Sequence, residues 1–469
     1  MEHAEGYDAF ADTLCERVLT QESPELLVYF AYFHAYNQNK WNRLSKLMEA
    51  QVGNDLTHLF ELVHHARGGG PVEWSDFQQA ISKALRMTRN DWMACHVYIS
   101  WREVVDGWFP EAVTDSGPLE VLESRITEDE EFNFFLASLH RIKAKRYDQE
   151  HNIEDARKWY DSAIALAKKH DDLEKLGGLL FEKANMVKQV NFGEALSTLK
   201  VQREICDKIG SSNGLAHNVH ALGHIAMARG EFDTAIKYQH EYLAYRESRG
   251  LPVGLMKCVL ASLYNQIRDG KTAMKLVIDA AAEMLPGAKG YARLQEAWAL
   301  LHLDQVEDSI TSLDKAREIS LKGGEESGLG LIHFVEGLIE KHNHEYPSAF
   351  FSFERALEIF ERTQSLSYFN LALLGMVDVE IETYEYDKAD KKSKLSGPWM
   401  QKLLDHIAQR DMPGIAAQSS LLEAKFRFKQ GRSDDSKKYV KKALQISEKS
   451  DNPYLKDLAE SLLPELIVS

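Results

Sequence analysis

Apolar residues recur at helical spacing along most of the chain. Leu260 and Tyr264 lie four positions apart, and Leu222, Leu313 and Phe353 occupy similar places in other segments. Residues separated by three or four positions share one face of an α-helix. No alternating run of β-branched residues bounded by turns appears in the sequence. The pattern therefore predicts a chain built from amphipathic helices.

Three glycines indicate where some of these helices end. Gly230, Gly270 and Gly431 each follow an apolar helical stretch. Glycine readily adopts the left-handed conformation that closes many helices at their C-termini. We therefore expect each of these glycines to end the first helix of a pair.

Small residues recur with a period near 40. They lie at positions 156, 195, 235, 273, 309, 349, 389 and 436, at intervals of 39, 40, 38, 36, 40, 40 and 47. A second small residue often lies twelve positions earlier, and a third lies seven positions later. Antiparallel helices approach closely only where side chains are small, so these positions predict contacts within and between stacked hairpins. The predicted repeat-packing residues are Ala144, Ala156, Ala163, Gly223, Ala235, Ala261, Ala273, Ala280, Ala297, Ala316, Gly337, Ala349, Ala356, Ala424 and Ala443.

This triplet of small residues resembles the tetratricopeptide repeat (TPR). The first repeat has Ala144, Tyr147, Ala156, Tyr160 and Ala163 where that family has small, aromatic, small, aromatic and small residues. The period is longer than the usual one of about 34 residues and is similar to that of kinesin light chains and bacterial regulator sensor domains. A HEAT solenoid has a similar period without this triplet. The resemblance implies an all-α, right-handed superhelical solenoid of antiparallel helix pairs.

The composition divides the chain into three parts. Residues 131–450 carry about eight repeats, and an amphipathic segment within 451–469 is expected to cap the last one. Residues 1–130 hold five of the eight tryptophans and 22 acidic against 10 basic side chains. We expect an acidic, Trp-rich N-terminal helical domain there, either a separate bundle or further degenerate repeats. The longest interval between repeats predicts an insertion near residues 393–401.

The net charge and the absence of known catalytic motifs exclude several classes of protein. The 56 Lys and Arg residues against 72 Asp and Glu give a net charge of −16, which disfavours binding to a phosphate backbone. The four cysteines form no CxxC pair, the N-terminus is acidic, and no segment is apolar enough to cross a bilayer. No phosphate-binding glycine loop or hydrolase nucleophile motif occurs. We therefore predict a cytoplasmic, non-enzymatic protein with no cofactor, no metal and no nucleic-acid or membrane partner.

The resemblance also implies which side chains line a groove. In TPR superhelices the first helix of each pair forms the concave face, and here those helices carry basic, amide, histidine and apolar residues. Such a surface suits an extended peptide with acidic and apolar anchors, although the full carboxylate clamp of some TPR adaptors is not matched. The predicted groove residues are Arg141, Lys145, Asn185, His217, His220, His224, Asn265, Leu294, Trp298, Leu301, Phe334 and Leu338.

The histidines of this groove are open to three interpretations. His217, His220 and His224 lie on one helical stripe. They could form a polar or peptide-contacting surface, a surface that titrates near neutrality, or part of a zinc site. No HExxH motif accompanies them, and one helix cannot easily aim three imidazoles at one point. We therefore favour the polar stripe.

The apolar groove residues around Trp298 and Phe334 have two interpretations. They could be buried by the superhelix or its cap, or they could bind an amphipathic helix or short linear motif. The sequence leaves this choice open.

Together these features predict an interaction scaffold or adaptor that binds a protein or peptide partner. The alternative is a regulatory sensor whose superhelix changes pitch when a ligand binds. A third hypothesis is that the acidic N-terminal part folds onto the mildly basic part of the chain at residues 386–443 and occupies the groove.

Overall fold

The computed structural model describes residues 13–20, 28–32, 41–50, 57–58, 60–62, 75–76, 79–80, 83, 98, 135–284, 289–323, 326–383, 397–450 and 452–465. Among these residues there is no β-strand. Most of residues 1–130 lie outside this part, as does the boundary predicted at residue 130. The N-terminal domain therefore stays a prediction, and so does the role of Ala389, the small residue of the seventh repeat.

Helices account for most of the described chain. Residues 13–20 and 28–32 are helical, and the helix that follows them, α1, spans Trp41–Glu49. The others are α2 (Leu136–Gln149), α3 (Ile153–Lys169), α4 (Leu173–Val187), α5 (Phe192–Ile209), α6 (Ser212–Arg229), α7 (Phe232–Ser248), α8 (Gly254–Gln266), α9 (Gly270–Glu283), α10 (Lys289–His302), α11 (Val306–Gly323), α12 (Glu326–His342), α13 (Tyr346–Arg362), α14 (Leu366–Thr383), α15 (Pro398–Ala408), α16 (Pro413–Lys429), α17 (Ser433–Lys449) and α18 (Pro453–Glu465). None of these described helices is long and apolar enough to span a bilayer.

Consecutive helices pack as pairs. The contacts join α2 to α3, α6 to α7, α8 to α9, α10 to α11, α12 to α13, α14 to α15 and α16 to α17, and α18 packs on α17. Helix α15 begins at Pro398, inside the segment where the sequence predicts an insertion, and it buries Met400 and Leu403. Helix α18 buries Leu455 and Ala459 against the last pair.

Six of the turns inside the pairs share one conformation. A residue with positive φ lies five positions before the second small residue of a repeat, and the examples are His151, Gly230, Arg268, Asp304, His344 and Gly431. The expectation for Gly270 is therefore wrong. Gly270 begins α9, where Asp269 caps the helix by accepting a hydrogen bond from the Thr272 N–H at 3.1 Å. Arg268 instead takes the left-handed position of that turn, with φ 62°.

The small residues lie where the helices of a pair meet. Ser309 Oγ donates to the Ala297 carbonyl at 2.6 Å, and Ser436 Oγ donates to the Ala424 carbonyl at 2.8 Å. These bonds join the second small position of a repeat to the first. A Cβ on Gly337 would lie 2.9 Å from the Phe353 ring, which leaves no room for a larger residue. Every predicted repeat-packing position is buried.

The chain forms two compact units that divide between Leu179 and Leu180, inside α4. The first unit contains the α2–α3 pair, in which Ala156, Tyr160 and Ala163 are buried. The second unit contains α5 to α18 and most of the predicted groove residues.

Candidate functional site

Two chambers lie within the second unit, and their walls come mainly from the first helices of successive pairs. Chamber 1 has a volume of about 600 Å³ and is lined from α6, α8, α10, α12 and α14, with contributions from the α4–α5 turn, α5, the residue after α9, and α11. Chamber 2 has a volume of about 700 Å³ and is lined from α8, α10, α12, α14 and α16, with contributions from α17 and α18. Both volumes fall in the range of about 300–1,000 Å³ that is usual for ligand sites.

A contact between distant repeats borders both chambers. Asn452 Nδ2 donates to the Gly230 carbonyl at 2.8 Å, and Asn370 Nδ2 donates to the Ala228 carbonyl at 2.9 Å. The Tyr454 N–H donates to Asp233 Oδ2 at 3.1 Å. Ala228 lines chamber 1 and Tyr454 lines chamber 2. The turn between α6 and α7 thus docks on α14 and on the N-terminus of α18, and we call this the closure contact.

An ion pair and a backbone approach complete the closure contact. Arg229 Nη1 donates to Asp411 Oδ2 at 2.7 Å. Gly230 and Gly414 approach so closely that a Cβ on Gly414 would overlap the Gly230 carbonyl group. Glycine at both positions therefore permits the turn to reach the start of α16.

Chamber 1 contains two of the three histidines of the stripe. His220 Nδ1 lies 3.0 Å from Gln239 Oε1, and the Nε2 atoms of His220 and His224 are 3.2 Å apart. Burial, partly offset by the hydrogen bond to Gln239, lowers the pKa of His220 to about 4. Burial and the neighbouring His220 lower the pKa of His224 to about 3. The pair is therefore neutral at physiological pH, and a groove that titrates near neutrality does not fit this geometry.

The third histidine of the stripe is not among the chamber-lining residues. His217 lies between the rings of Phe181 and Tyr242, at centroid distances of 5.5 and 6.1 Å. No group of three or more His, Cys, Asp or Glu side chains in the described part of the chain is arranged to hold a metal ion. The imidazoles of His217 and His220 both pack against the ring of Tyr242.

Two tyrosines that the sequence analysis did not single out form a hydroxyl cluster in chamber 1. The hydroxyl oxygens of Tyr291 and Tyr368 are 2.7 Å apart, and Tyr368 also contacts Ser262 Oγ at 3.3 Å. Burial raises the pKa of both tyrosines, so they are neutral hydrogen-bonding groups. Tyr368 lies in the seventh repeat, where the small-residue pattern gives no clear register, and this is why sequence reasoning missed it.

The predicted apolar patch forms part of chamber 2. Trp298, Leu301, Phe334 and Leu338 all line it. Trp298 is only 4 % exposed and Phe334 only 2 % exposed, and their ring centroids are 5.1 Å apart in an edge-to-face arrangement. Phe334 also packs on Phe353. The two aromatic rings are therefore mainly core residues with an edge toward the chamber.

A charge cluster lies at another part of chamber 2. Asp378 accepts hydrogen bonds from Lys341 at 2.7 Å and from Lys425 at 2.5 Å. Burial would raise the pKa of the Asp378 carboxyl, but the two ammonium groups outweigh burial and hold its pKa below the ordinary value. Glu382, which does not line the chamber, pairs with Lys425 and Lys429. The cluster joins α12, α14 and α16.

The remaining predicted groove residues lie away from the chambers or in the structural core. Arg141 and Lys145 are half-buried on α2 in the first unit. Asn185 donates to the Phe181 carbonyl and accepts from Lys188, and Leu294 is buried. Asn265 lines chamber 2, but its amide nitrogen joins two repeats by donating to the Gln295 carbonyl at 3.0 Å.

Comparison with known proteins shows the fold. No protein-family profile and no curated protein sequence matches the chain. The apo form of the quorum sensor NprR from B. thuringiensis is similar in structure, with a TM-score of 0.50, 11% identity and coverage of 75% of this chain and 97% of that one.

Two further solved structures are similar at lower scores. NprR in complex with its cognate peptide NprX has a TM-score of 0.47 and 10% identity, over 76% of this chain and 98% of that one. Yeast Tom70 has a TM-score of 0.38 and 11% identity, over 98% of this chain and 92% of that one. The prediction of an all-α solenoid is confirmed, and the chain has a TPR-like helical-repeat fold.

Proposed function

We propose that this protein is a non-enzymatic interaction scaffold that binds a peptide or an amphipathic helix of a partner protein in the two chambers. The observation that carries the proposal is that the first helices of five consecutive pairs, α8 to α16, contribute to chamber 2. A chamber built by several repeats offers a ligand many contact points on a rigid wall. A preformed wall also leaves most of the ordering cost with the ligand.

Half-buried residues on the chamber walls allow a test that spares the core. Val259 lines chamber 1 and Leu422 lines chamber 2, and both are partly exposed. Val259→Trp and Leu422→Trp would each fill part of one chamber. Ile278, which is 62 % exposed on α9 and lines neither chamber, provides the matched control Ile278→Trp.

In the experiment, the immobilised protein is incubated with a synthetic pool of random heptapeptides. Mass spectrometry then identifies the peptides that it retains. We expect wild type and Ile278→Trp to retain peptides, and at least one chamber variant to retain far fewer. Equal retention by all four proteins would contradict binding in the chambers, and no retention by wild type would contradict peptide binding.

The closure contact favours a second candidate function, a sensor whose superhelix changes pitch. The contact rests on a few hydrogen bonds and one ion pair, and it borders both chambers. A ligand that binds the open and closed forms with different affinity would shift the distance between α7 and α17. Spin labels at the exposed positions Glu241 and Lys438 would measure that distance. A change on peptide binding favours the sensor, whereas an unchanged distance favours the rigid scaffold.

A further inference from the structure

The sign of the charge inside the chambers is opposite to that of the whole chain. The chain carries 72 acidic and 56 basic side chains. The described residues that line chamber 2 include Arg268, Lys341 and Lys425 but only one carboxylate, Asp378. Those that line chamber 1 include Lys188 and no carboxylate. An acidic protein whose chamber walls carry more basic than acidic side chains has an interior surface complementary to an anion.

The charges of chamber 2 are not equally available to a ligand. The ammonium groups of Lys341, Lys425 and Lys429 already form ion pairs with Asp378 and Glu382. Arg268 is exposed, and its guanidinium makes no hydrogen bond or ion pair with any residue that the structure describes. Arg268 also occupies the left-handed position of the α8–α9 turn, which fixes its backbone at the chamber wall. A free guanidinium binds a carboxylate through two parallel hydrogen bonds.

Apolar side chains share the wall of chamber 2 with this cation. The chamber wall includes a set of partly exposed leucines and one phenylalanine that is 37 % exposed. These residues are Leu338, Leu371, Leu422, Leu458, Leu462 and Phe428. A ligand that covers them and also reaches Arg268 needs apolar side chains next to an acidic one.

We infer that the ligand of chamber 2 is an acidic peptide with aliphatic or aromatic anchors, held by a carboxylate on Arg268. The inference rests on the proposed function and specifies its ligand class. A basic peptide is disfavoured because the one carboxylate that lines the described wall is already bonded to two lysines. A cationic side chain would therefore enter an apolar chamber without a counter-charge.

The test uses the same random heptapeptide pool with the full-length protein. Wild type is expected to enrich peptides that combine Asp or Glu with Leu or Phe, relative to the input pool. Arg268→Glu is expected to lose that enrichment, and one enriched peptide with a fluorescent label should bind Arg268→Gln at least about tenfold more weakly. Arg203→Glu makes the same charge change at an exposed position of α5 outside both chambers, and it should behave as wild type.

The outcomes separate this inference from the proposed function. Retention of neutral or basic peptides in preference to acidic ones would overturn the inference and leave peptide binding in place. Acidic enrichment that survives Arg268→Glu would also overturn it, because the carboxylate would then be held elsewhere. Retention of no peptide at all would contradict the proposed function itself.

Discussion

The side-chain amide of Asn452 donates a 2.8 Å hydrogen bond to the carbonyl oxygen of Gly230, a residue 222 positions earlier in the chain. The same side chain caps α18, since its Oδ1 accepts the Leu455 N–H at 3.3 Å. Asn452 is only 2 % exposed. One buried amide thus joins the third repeat to the capping helix.

We expect Asn452→Ala to lower the free energy of unfolding by about 2–3 kcal/mol, because it removes a helix cap and leaves a buried carbonyl without its partner. Asn191→Ala is the matched control, since Asn191 caps α5 at an exposed position and has no closure bond. The control should cost about 1 kcal/mol. Urea unfolding followed by circular dichroism measures both, and equal costs would show that the closure bond adds nothing.

The approach of Gly414 to Gly230 gives a second prediction. A Cβ on Gly414 would overlap the Gly230 carbonyl group, and neither backbone can move without opening the closure contact. We expect Gly414→Ala to destabilise the protein by roughly 1–3 kcal/mol, as other overpacking substitutions do.

A glycine in open space supplies the control for this effect. A Cβ on Gly178, in α4, would meet no atom within 4 Å. Gly178→Ala should therefore stabilise the chain by about 0.5–1 kcal/mol, since alanine has the higher helix propensity. Opposite shifts of the two melting temperatures support the closure contact. Two shifts of the same sign would contradict it.

The buried histidines predict a pH dependence of stability. The pKa values of His220 and His224 are about 4 and about 3, below the ordinary value near 6.5. The unfolded chain therefore binds protons that the folded chain does not, between about pH 6.5 and the folded values. Above that window the two histidines do not lower the free energy of unfolding. The free energy of unfolding decreases as the pH falls through the window.

We expect His220→Gln to flatten the fall in unfolding free energy between pH 6.5 and 4. One such histidine contributes on the order of 2 kcal/mol across this window. His344→Gln, which removes an exposed histidine in the α12–α13 turn, is the control. Urea unfolding at a series of pH values provides the measurement. An unchanged slope for His220→Gln would show that His220 ionises alike in both states.

The sequence was sufficient to predict the helix pairs but not the closure contact. The small residues set the register, since two antiparallel helices meet only where a side chain such as Ala297 leaves room for its neighbour Ser309. The hydrogen bond between Asn452 and Gly230 cannot be read from the periodicity of the sequence. It forms because each repeat is rotated slightly relative to the one before it, and these rotations add up over six repeats. The same holds for Tyr368 and Arg268, which become wall residues only when distant helices surround a common space.

The aromatic pair of chamber 2 gives the last prediction. Trp298 and Phe334 are 4 % and 2 % exposed, so their truncation creates cavities in the core rather than clearing a groove. Trp298→Ala and Phe334→Ala should each cost about 3–5 kcal/mol, and the double variant should cost more than either alone. Leu338→Ala and Leu422→Ala remove partly exposed wall residues and should cost much less. The free energies of unfolding measured in urea distinguish the aromatic pair from the two leucines. If the aromatic double variant unfolds like wild type yet no longer captures peptides, the rings belong to the binding surface and not to the core.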